Sequence, residues 1–245
     1  MNGSALLAAT VVCLGLAWQG AIAAGWIDPF TLPPPADILA SLPQLVTDEG
    51  LVRRAVTTFL ETFCAAALAI GVGVPLGWLL HRTRAAGEAF EPWVAAAAAA
   101  PMVLLYPLFL VLIGRNIGAI VVMGGLAGLP AAVLKTKEGF DEVRPVLLHV
   151  ARGFGFTPLQ SFRKVLLPAA IPTLVNGFRL ALVFALINIV GIEFLVNLGG
   201  LGQLIADLSD RYEIPAMYGA ILVVVLVSSC FFLLTERIER WMRPA

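Results

Sequence analysis

The sequence predicts an all-α polytopic membrane protein of six transmembrane helices, and three observations predict it. Of 245 residues, 60% are hydrophobic and only 13% charged; a soluble domain carries about 25% charged residues. The mean hydropathy is +0.92. The apolar residues fall into six runs of span length, separated by short polar stretches. The formal net charge of zero carries no nucleic-acid signal, and no nucleic-acid partner is expected. Cys13, Cys64 and Cys230 lie within apolar runs and read as small hydrophobes, not as a disulfide or zinc set.

The chain reads as a single transmembrane domain, 1–245. Residues 4–27 are uncharged and form the first expected span; the rival reading is a signal peptide, since Ala21-Ile-Ala23 resembles a cleavage site, but no Lys or Arg precedes the run. Residues 28–50 form a Pro-rich extracytoplasmic connector with a short amphipathic helix near Ala36–Val46, and residues 51–245 form the core. The second span, Thr57–Leu80, carries Glu61 near one end and Gly71, Gly73, Pro75 and Gly77 near the other; small residues permit close helix approach. The third, Pro92–Gly114, contains the Ala95–Ala100 run and is broken by Pro101 and Pro107. Such breaks are tolerated where backbone is buried in protein or faces water. Met102–Tyr106 is thus a candidate pathway lining, with a merely kinked packing helix as the plainer reading. Ile117–Leu134 is the fourth span, Ile171–Val196 the fifth and Ile214–Thr235 the sixth. The fifth carries Asn176, Arg179, Asn188 and Glu193. Polar and ionisable groups in a span usually face a cavity or a partner, so these four join Met102 and Tyr106 as pathway or gate candidates; Arg179 also stands close enough to a membrane surface to snorkel. Gly199-Gly-Leu-Gly202 in the connector after the fifth span reads as a turn rather than a ligand cradle.

Six spans place both termini on one side. On that side lie eleven Lys and Arg: Arg82 and Arg84; Lys135, Lys137, Arg144, Arg152, Arg163 and Lys164; Arg237, Arg240 and Arg243. The other side holds four, Arg53, Arg54, Arg115 and Arg211, and Arg179 is the sixteenth. Positive residues favour the cytoplasm, which places the termini and the loop 137–170 there.

That loop, about 34 residues long, is the most distinctive stretch. Pro145 suits the first position of a helix continuing to Arg152. Gly153 and Gly155 stop it. Thr157-Pro158-Leu-Gln160 starts another as a capping box. Phe154 and Phe156 flank the glycine turn, where exposed aromatics call for a protein partner; the plainer reading is an interfacial segment lying on lipid. The spacing Ala151-x3-Gly155-x9-Val165-x-Leu167-Pro168 resembles the signature loop of binding-protein-dependent ABC importer permeases. It departs at the opening, where His149-Val150 replaces the family's Glu-Ala. Leu32-Pro-Pro-Pro-Ala-Asp-Ile, Gly73-Val-Pro-Leu-Gly77 and Gly200-Leu-Gly202-Gln-Leu-Ile resemble the nitrate, sulfonate, taurine and thiamine-precursor branch.

The resemblance implies the type I ABC importer permease fold, an inner-membrane location and a homodimer. It also implies two cytoplasmic ABC ATPase subunits and an extracytoplasmic solute-binding protein. The cytoplasmic coupling helix would lie between the fourth and fifth spans, with His149, Ala151, Arg152, Phe154, Gly155, Phe156, Thr157 and Pro158 meeting the ATPase. The chain has no phosphate-loop motif and no catalytic constellation. No catalytic residue, metal or cofactor is therefore expected in it, ATP and Mg belonging to the partner ATPase. The rivals are a self-sufficient secondary transporter or channel coupled through Glu193 and Arg179, and a membrane-embedded enzyme, which the missing constellation disfavours.

Overall fold

The computed structural model describes residues 3–242, with the side chains of 238–242 and of a few residues near the N-terminus left outside the description. Part of the expected 4–27 span, Arg240 and Arg243 therefore fall outside the described side chains. The described residues form eleven α-helices and no strand: α1 Gly3–Ala23, α2 Pro35–Thr47, α3 Leu51–Arg82, α4 Arg84–Ala99, α5 Tyr106–Leu112, α6 Ile117–Asp141, α7 Pro145–Gly153, α8 Pro158–Ser161, α9 Leu167–Leu195, α10 Gly200–Asp210 and α11 Ile214–Met242.

Four helical stretches are each long and apolar enough to cross a membrane: α3, α6, the run 158–210 containing α9, and 214–237 of α11. A fifth results if α4 and the segment Met102–Leu112 are one span, bent by 82° at the break. The described apolar stretch of α1, Val12–Ala23, is shorter than a span. The expected six spans are thus matched by four or five. The third is not a straight helix over 92–114: it starts at Arg84, stops at Ala99 and resumes at Tyr106 after a 3₁₀ turn, Met102–Leu105. Ala100 is extended at ψ 131°, as the residue before a proline prefers. Pro75, by contrast, sits inside an unbroken α3.

The core is α6 packed between α3 and α9, and small residues make it possible. Association in lipid rests on close packing, because lipid tails are as apolar as leucine. Of the α3 cluster, Gly71 has open space beside it, but a Cβ on Gly77 would stand 2.5 Å from the Val133 carbonyl oxygen. On the other face of α6, a Cβ on Gly128 would stand 2.8 Å from the Ala181 oxygen. The Ala95–Ala100 run is half-buried or exposed within the protomer.

Polar contacts sort the connections to two ends. At one end Arg54 of α3 meets Asp207 of α10 at 3.1 Å, Glu49 meets Arg211 at 2.6 Å, and Arg115 donates to the Asn197 carbonyl at 3.0 Å. At the other end of α3 and α6, His81 Nδ1 lies 2.6 Å from Asp141 and Lys137 bridges Glu91 and Asp141 at 3.0 and 2.7 Å. Arg53, Arg54, Arg115 and Arg211 thus belong to the end opposite the 137–170 loop, the alternation that the charge count requires.

The segment 197–213, read from sequence as a polar connector, contains α10, whose Leu201, Leu204 and Leu208 are fully buried with Leu45 of α2 and Ala216 and Ala220 of α11. Their i, i+3, i+7 spacing is a helix face, masked in the sequence by the surrounding Gly, Gln and Asp.

We predict that Gly128→Leu drives α6 from α9 and lowers stability by about 1–3 kcal/mol, the usual cost of overpacking a close contact. Gly71→Leu, into open space, should leave the thermal midpoint of the detergent-purified protein within error of the parent. Equal midpoints for both variants would contradict the packing described.

Candidate functional site

The loop between α6 and α9 forms as its local chemistry dictates. Pro145 occupies the first turn of α7. Gly155 takes φ +72°, a conformation that costs other residues roughly 1–2 kcal/mol. Around it the Phe156 N–H donates to the Ala151 carbonyl at 3.0 Å and the Gly155 N–H to the Arg152 carbonyl at 2.9 Å. These two bonds are the Schellman closure of a helix end. The next helix starts with a capping box: the Gln160 N–H donates to Thr157 Oγ1 at 3.3 Å, and the Thr157 N–H to Gln160 Oε1 at 2.9 Å. α8 then runs without interruption through a π-helical turn, Phe162–Leu166, into α9. The loop is therefore anchored by helices on both sides, and only 142–144 and 154–157 are non-helical.

Its residues divide into anchors and surface. Ala151 is buried (3% exposed) and faces the protein, so it supports the loop rather than meeting a partner. Phe156 is half-buried, with the Lys164 ammonium 5.3 Å from its ring centroid. The two phenylalanines, expected to act alike, thus part ways: Phe154 is 77% exposed. With Val146, Leu147 and Val150 it makes an exposed apolar strip at i, i+1, i+4 and i+8 along α7, one helix face. His149, Arg152, Thr157 and Pro158 are exposed beside it. A contiguous apolar strip rimmed by polar residues marks an interaction surface.

The pathway candidates do not assemble into one polar surface. Met102 is half-buried in the 3₁₀ turn after the bend, and Tyr106 packs on the Ile120, Met123, Ile189 and Ile192 cluster. Asn176 is half-buried, as is Arg179, whose guanidinium stands 4.9 Å from the Phe232 ring. Asn188 Nδ2 donates to the Phe184 carbonyl of its own helix at 3.0 Å. Five residues on, at about 100° per residue, Glu193 points roughly 140° away from Asn188. Glu193 is 0% exposed, enclosed within the protomer rather than on any open path.

The enclosure is specific. Thr58 Oγ1 of α3 donates to the Glu193 carboxylate at 2.8 and 3.0 Å and accepts the Leu201 N–H at 2.8 Å. The Gly202 N–H donates to Glu193 Oε2 at 2.8 Å. Two of the otherwise unsatisfied N–H groups at the start of α10 are thereby capped, and the carboxylate sits at the positive end of that helix. Gly200 and Gly202 are where they are because a Cβ on either would collide with Glu193 itself. The glycine stretch makes a turn, with Gly199 and Gly200 at φ +115° and +84°, but it also cradles a carboxylate of the same chain. Glu61 is buried one turn along α3 from Thr58, beside Glu193. Sequence reading did not join Thr58, Glu61 and Gly202 to Glu193; an acidic residue in each of two spans, ahead of a glycine-led helix start, was the available signal. Among the described residues no group of His, Cys, Asp and Glu has the makings of a metal site.

Cavities among the spanning helices are apolar. One of about 410 Å³ is lined by Leu76, Phe90, Trp93, Leu129 and neighbours, and one of about 350 Å³ by Ile70, Val74, Leu174, Phe178 and neighbours.

The family described as binding-protein-dependent transport system inner membrane component matches residues 69–244. A probable ABC transporter permease of Brucella melitensis is 25% identical over 193 residues, 79% of this chain and 78% of that protein. The putative aliphatic sulfonates transport permease protein SsuC of Bacillus subtilis is 24% identical over 240 residues, 96% of this chain and 86% of that protein. Among solved structures, inward-facing MetNI methionine ABC transporter superposes with a TM-score of 0.69 at 25% identity, covering 79% of this chain and 96% of that one.

We predict that Thr58→Val, nearly isosteric, strands the Leu201 N–H and removes one donor from Glu193. The expected cost is about 1–3 kcal/mol, read as a lower thermal midpoint and faster proteolysis within 197–203. Thr57→Val is the control, since the Thr57 hydroxyl bonds only its own helix at Arg53 O, 3.1 Å, and should shift stability by less than about 0.5 kcal/mol. Indistinguishable variants would remove the clamp from the account.

Proposed function

Because this chain belongs to the binding-protein-dependent transport system inner membrane components, we propose that it is the membrane subunit of an ATP-driven importer, working as a homodimer with two cytoplasmic ABC ATPases and an extracytoplasmic solute-binding protein. The family's members are permease subunits rather than enzymes, and the hydrolysis of ATP, with its Mg, is assigned to the partner chains. The chain sits in the inner membrane as a multi-pass protein, and both termini are proposed to be cytoplasmic on the count of basic residues.

One observation carries the reading: the exposed apolar strip Val146, Leu147, Val150 and Phe154 along α7 and its C-cap. An isolated loop gains nothing by exposing Phe154. A partner ATPase covering the strip explains it, and the capped, unbroken path from α8 into α9 explains how movement of that partner reaches a spanning helix. ATP binding shifts the permease between inward- and outward-open states only through its differential affinity for the two, so the α7 contact is the link. His149, Arg152, Gly155, Thr157 and Pro158 form the rim of this contact, Ala151 and Phe156 its support.

The solute is proposed to be small and to pass between two copies of the chain. The two cavities described along α3, α6 and α9 are apolar and do not suit a polar solute, and the small-residue face of α4 is exposed within one copy of the chain. Met102, Tyr106, Asn176, Arg179 and Asn188 remain the proposed lining. A nitrate, sulfonate, taurine or thiamine-precursor type of solute is proposed on the branch resemblance; the ligand of the companion binding protein, measured by calorimetry against that panel, decides it. A self-sufficient transporter coupled through Glu193 fits less well, because that carboxylate is committed to capping α10.

We predict that Gly155→Val leaves the protein inserted and dimeric but weakens ATPase copurification and abolishes uptake. Val is strained at φ +72° and adds bulk where the loop meets its partner. Phe154→Asp should do the same, whereas His149→Glu should be mild. Full uptake by Gly155→Val overturns this account of coupling. Separately, a single cysteine at position 158 should resist a membrane-impermeant reagent in intact cells; labelling there would invert the topology.

A further inference from the structure

A third, larger cavity of about 830 Å³ opens where the last turn of α3 meets the loop. Trp78, His81 and Arg82 line it from α3, Leu148 from α7, and Leu159 and Phe162 from α8 and the π-helical turn. Its two halves differ in chemistry. One is apolar: Leu148, Leu159 and Phe162, with Phe162 edge-on to Trp78 at 5.9 Å. The other ends in a cation. His81 is engaged by Asp141 at 2.6 Å, but Arg82 has no ion pair among the described residues; its guanidinium lies 5.4 Å from the Trp78 ring centroid and is otherwise exposed. Exposed Arg163 and Lys164 follow Phe162 directly and add to the positive field.

The depth of the cavity says what fits it. Arg82 is the last residue of a spanning helix, and tryptophan is enriched at membrane–water boundaries. Basic pockets among transmembrane helices on the cytoplasmic side suit anionic lipid head groups. We propose that this cavity is a binding site for an anionic phospholipid, its phosphate on the Arg82 guanidinium and an acyl chain against Trp78, Leu148, Leu159 and Phe162. The lipid fills the wedge between α3 and the loop, which shares Pro158 with the rim of the ATPase contact. It therefore stiffens the connection between the α7 contact and the membrane core. The site rests on the cytoplasmic placement of the loop, which the position-158 labelling tests on its own.

The test uses the assembled transporter, purified with its ATPase into nanodiscs of phosphatidylcholine with a minor fraction of phosphatidylglycerol. Native mass spectrometry counts the lipids that each complex retains. The parent should keep phosphatidylglycerol in preference to phosphatidylcholine, one per permease chain. Arg82→Gln should lower that retention by about fivefold, which is the factor that roughly 1 kcal/mol per basic residue near an anionic surface represents. Ser161→Phe, which fills the cavity from its wall without altering charge, should lower it too. Arg84→Gln is the control, because Arg84 is already paired with Glu88 at 2.9 Å and does not line the cavity. ATPase copurification from each variant establishes that it has folded. Equal retention by Arg82→Gln and Arg84→Gln overturns the proposal, as does equal binding of phosphatidylcholine. Displacement of the lipid by excess inorganic phosphate would identify a free-anion site instead, and lipid retained by the permease purified without its ATPase but absent from the assembled transporter would assign the cavity to that subunit.

Discussion

A carboxylate buried at the start of a helix organises the end of this protein opposite the 137–170 loop. Glu193 accepts from Thr58 and Gly202 while Thr58 accepts from Leu201, so three segments distant in sequence meet in one set of hydrogen bonds. A charge without such donors is prohibitively costly inside a membrane protein. Once α10 is seated, Leu201, Leu204 and Leu208 close the core with α2 and α11, and the Arg54–Asp207 and Arg211–Glu49 pairs hold its far end. These two pairs are partly exposed and contribute modestly; the buried cap carries the geometry.

The half that carries the 137–170 loop obeys a different constraint. There α6 lies against α3 and α9 at glycine and alanine contacts, which makes the three helices a single stiff unit. Because α8 continues through the π-helical turn into α9, the second half of the loop is an extension of that unit. A rigid connection is what transmission of a partner's movement requires. The apolar strip on α7 is the surface by which such movement would enter, and the cavity beside it is where a lipid would brace it.

The two halves share α3, which carries Thr58 at one end and Trp78, His81 and Arg82 at the other. The helix continues unbroken through Pro75 and so links the two ends of the fold directly. Substitutions at either end therefore report on distinct functions: seating of α10, or support of the loop.

Local chemistry alone settled the α7–α8 turn. Proline at a first turn, glycine at a positive φ and a Thr-x-x-Gln box each depend on neighbours within a few residues, and all appear as read. The membrane class and the alternation of ends likewise follow from hydropathy and from counting Lys and Arg, which need no partner. What the chain order hid was set by contacts between distant segments. The 82° break near Pro101 against the continuity through Pro75, the helix in 197–213, and the burial of Ala151 and Glu193 each depend on what packs alongside. Glu193 is the clearest case. In sequence an acidic residue within a span points to a pathway, because an unpaired charge there needs water or a partner; only the folded chain shows that the partners are Thr58 and the first N–H groups of α10, brought within hydrogen-bonding distance by a glycine that no larger residue could replace.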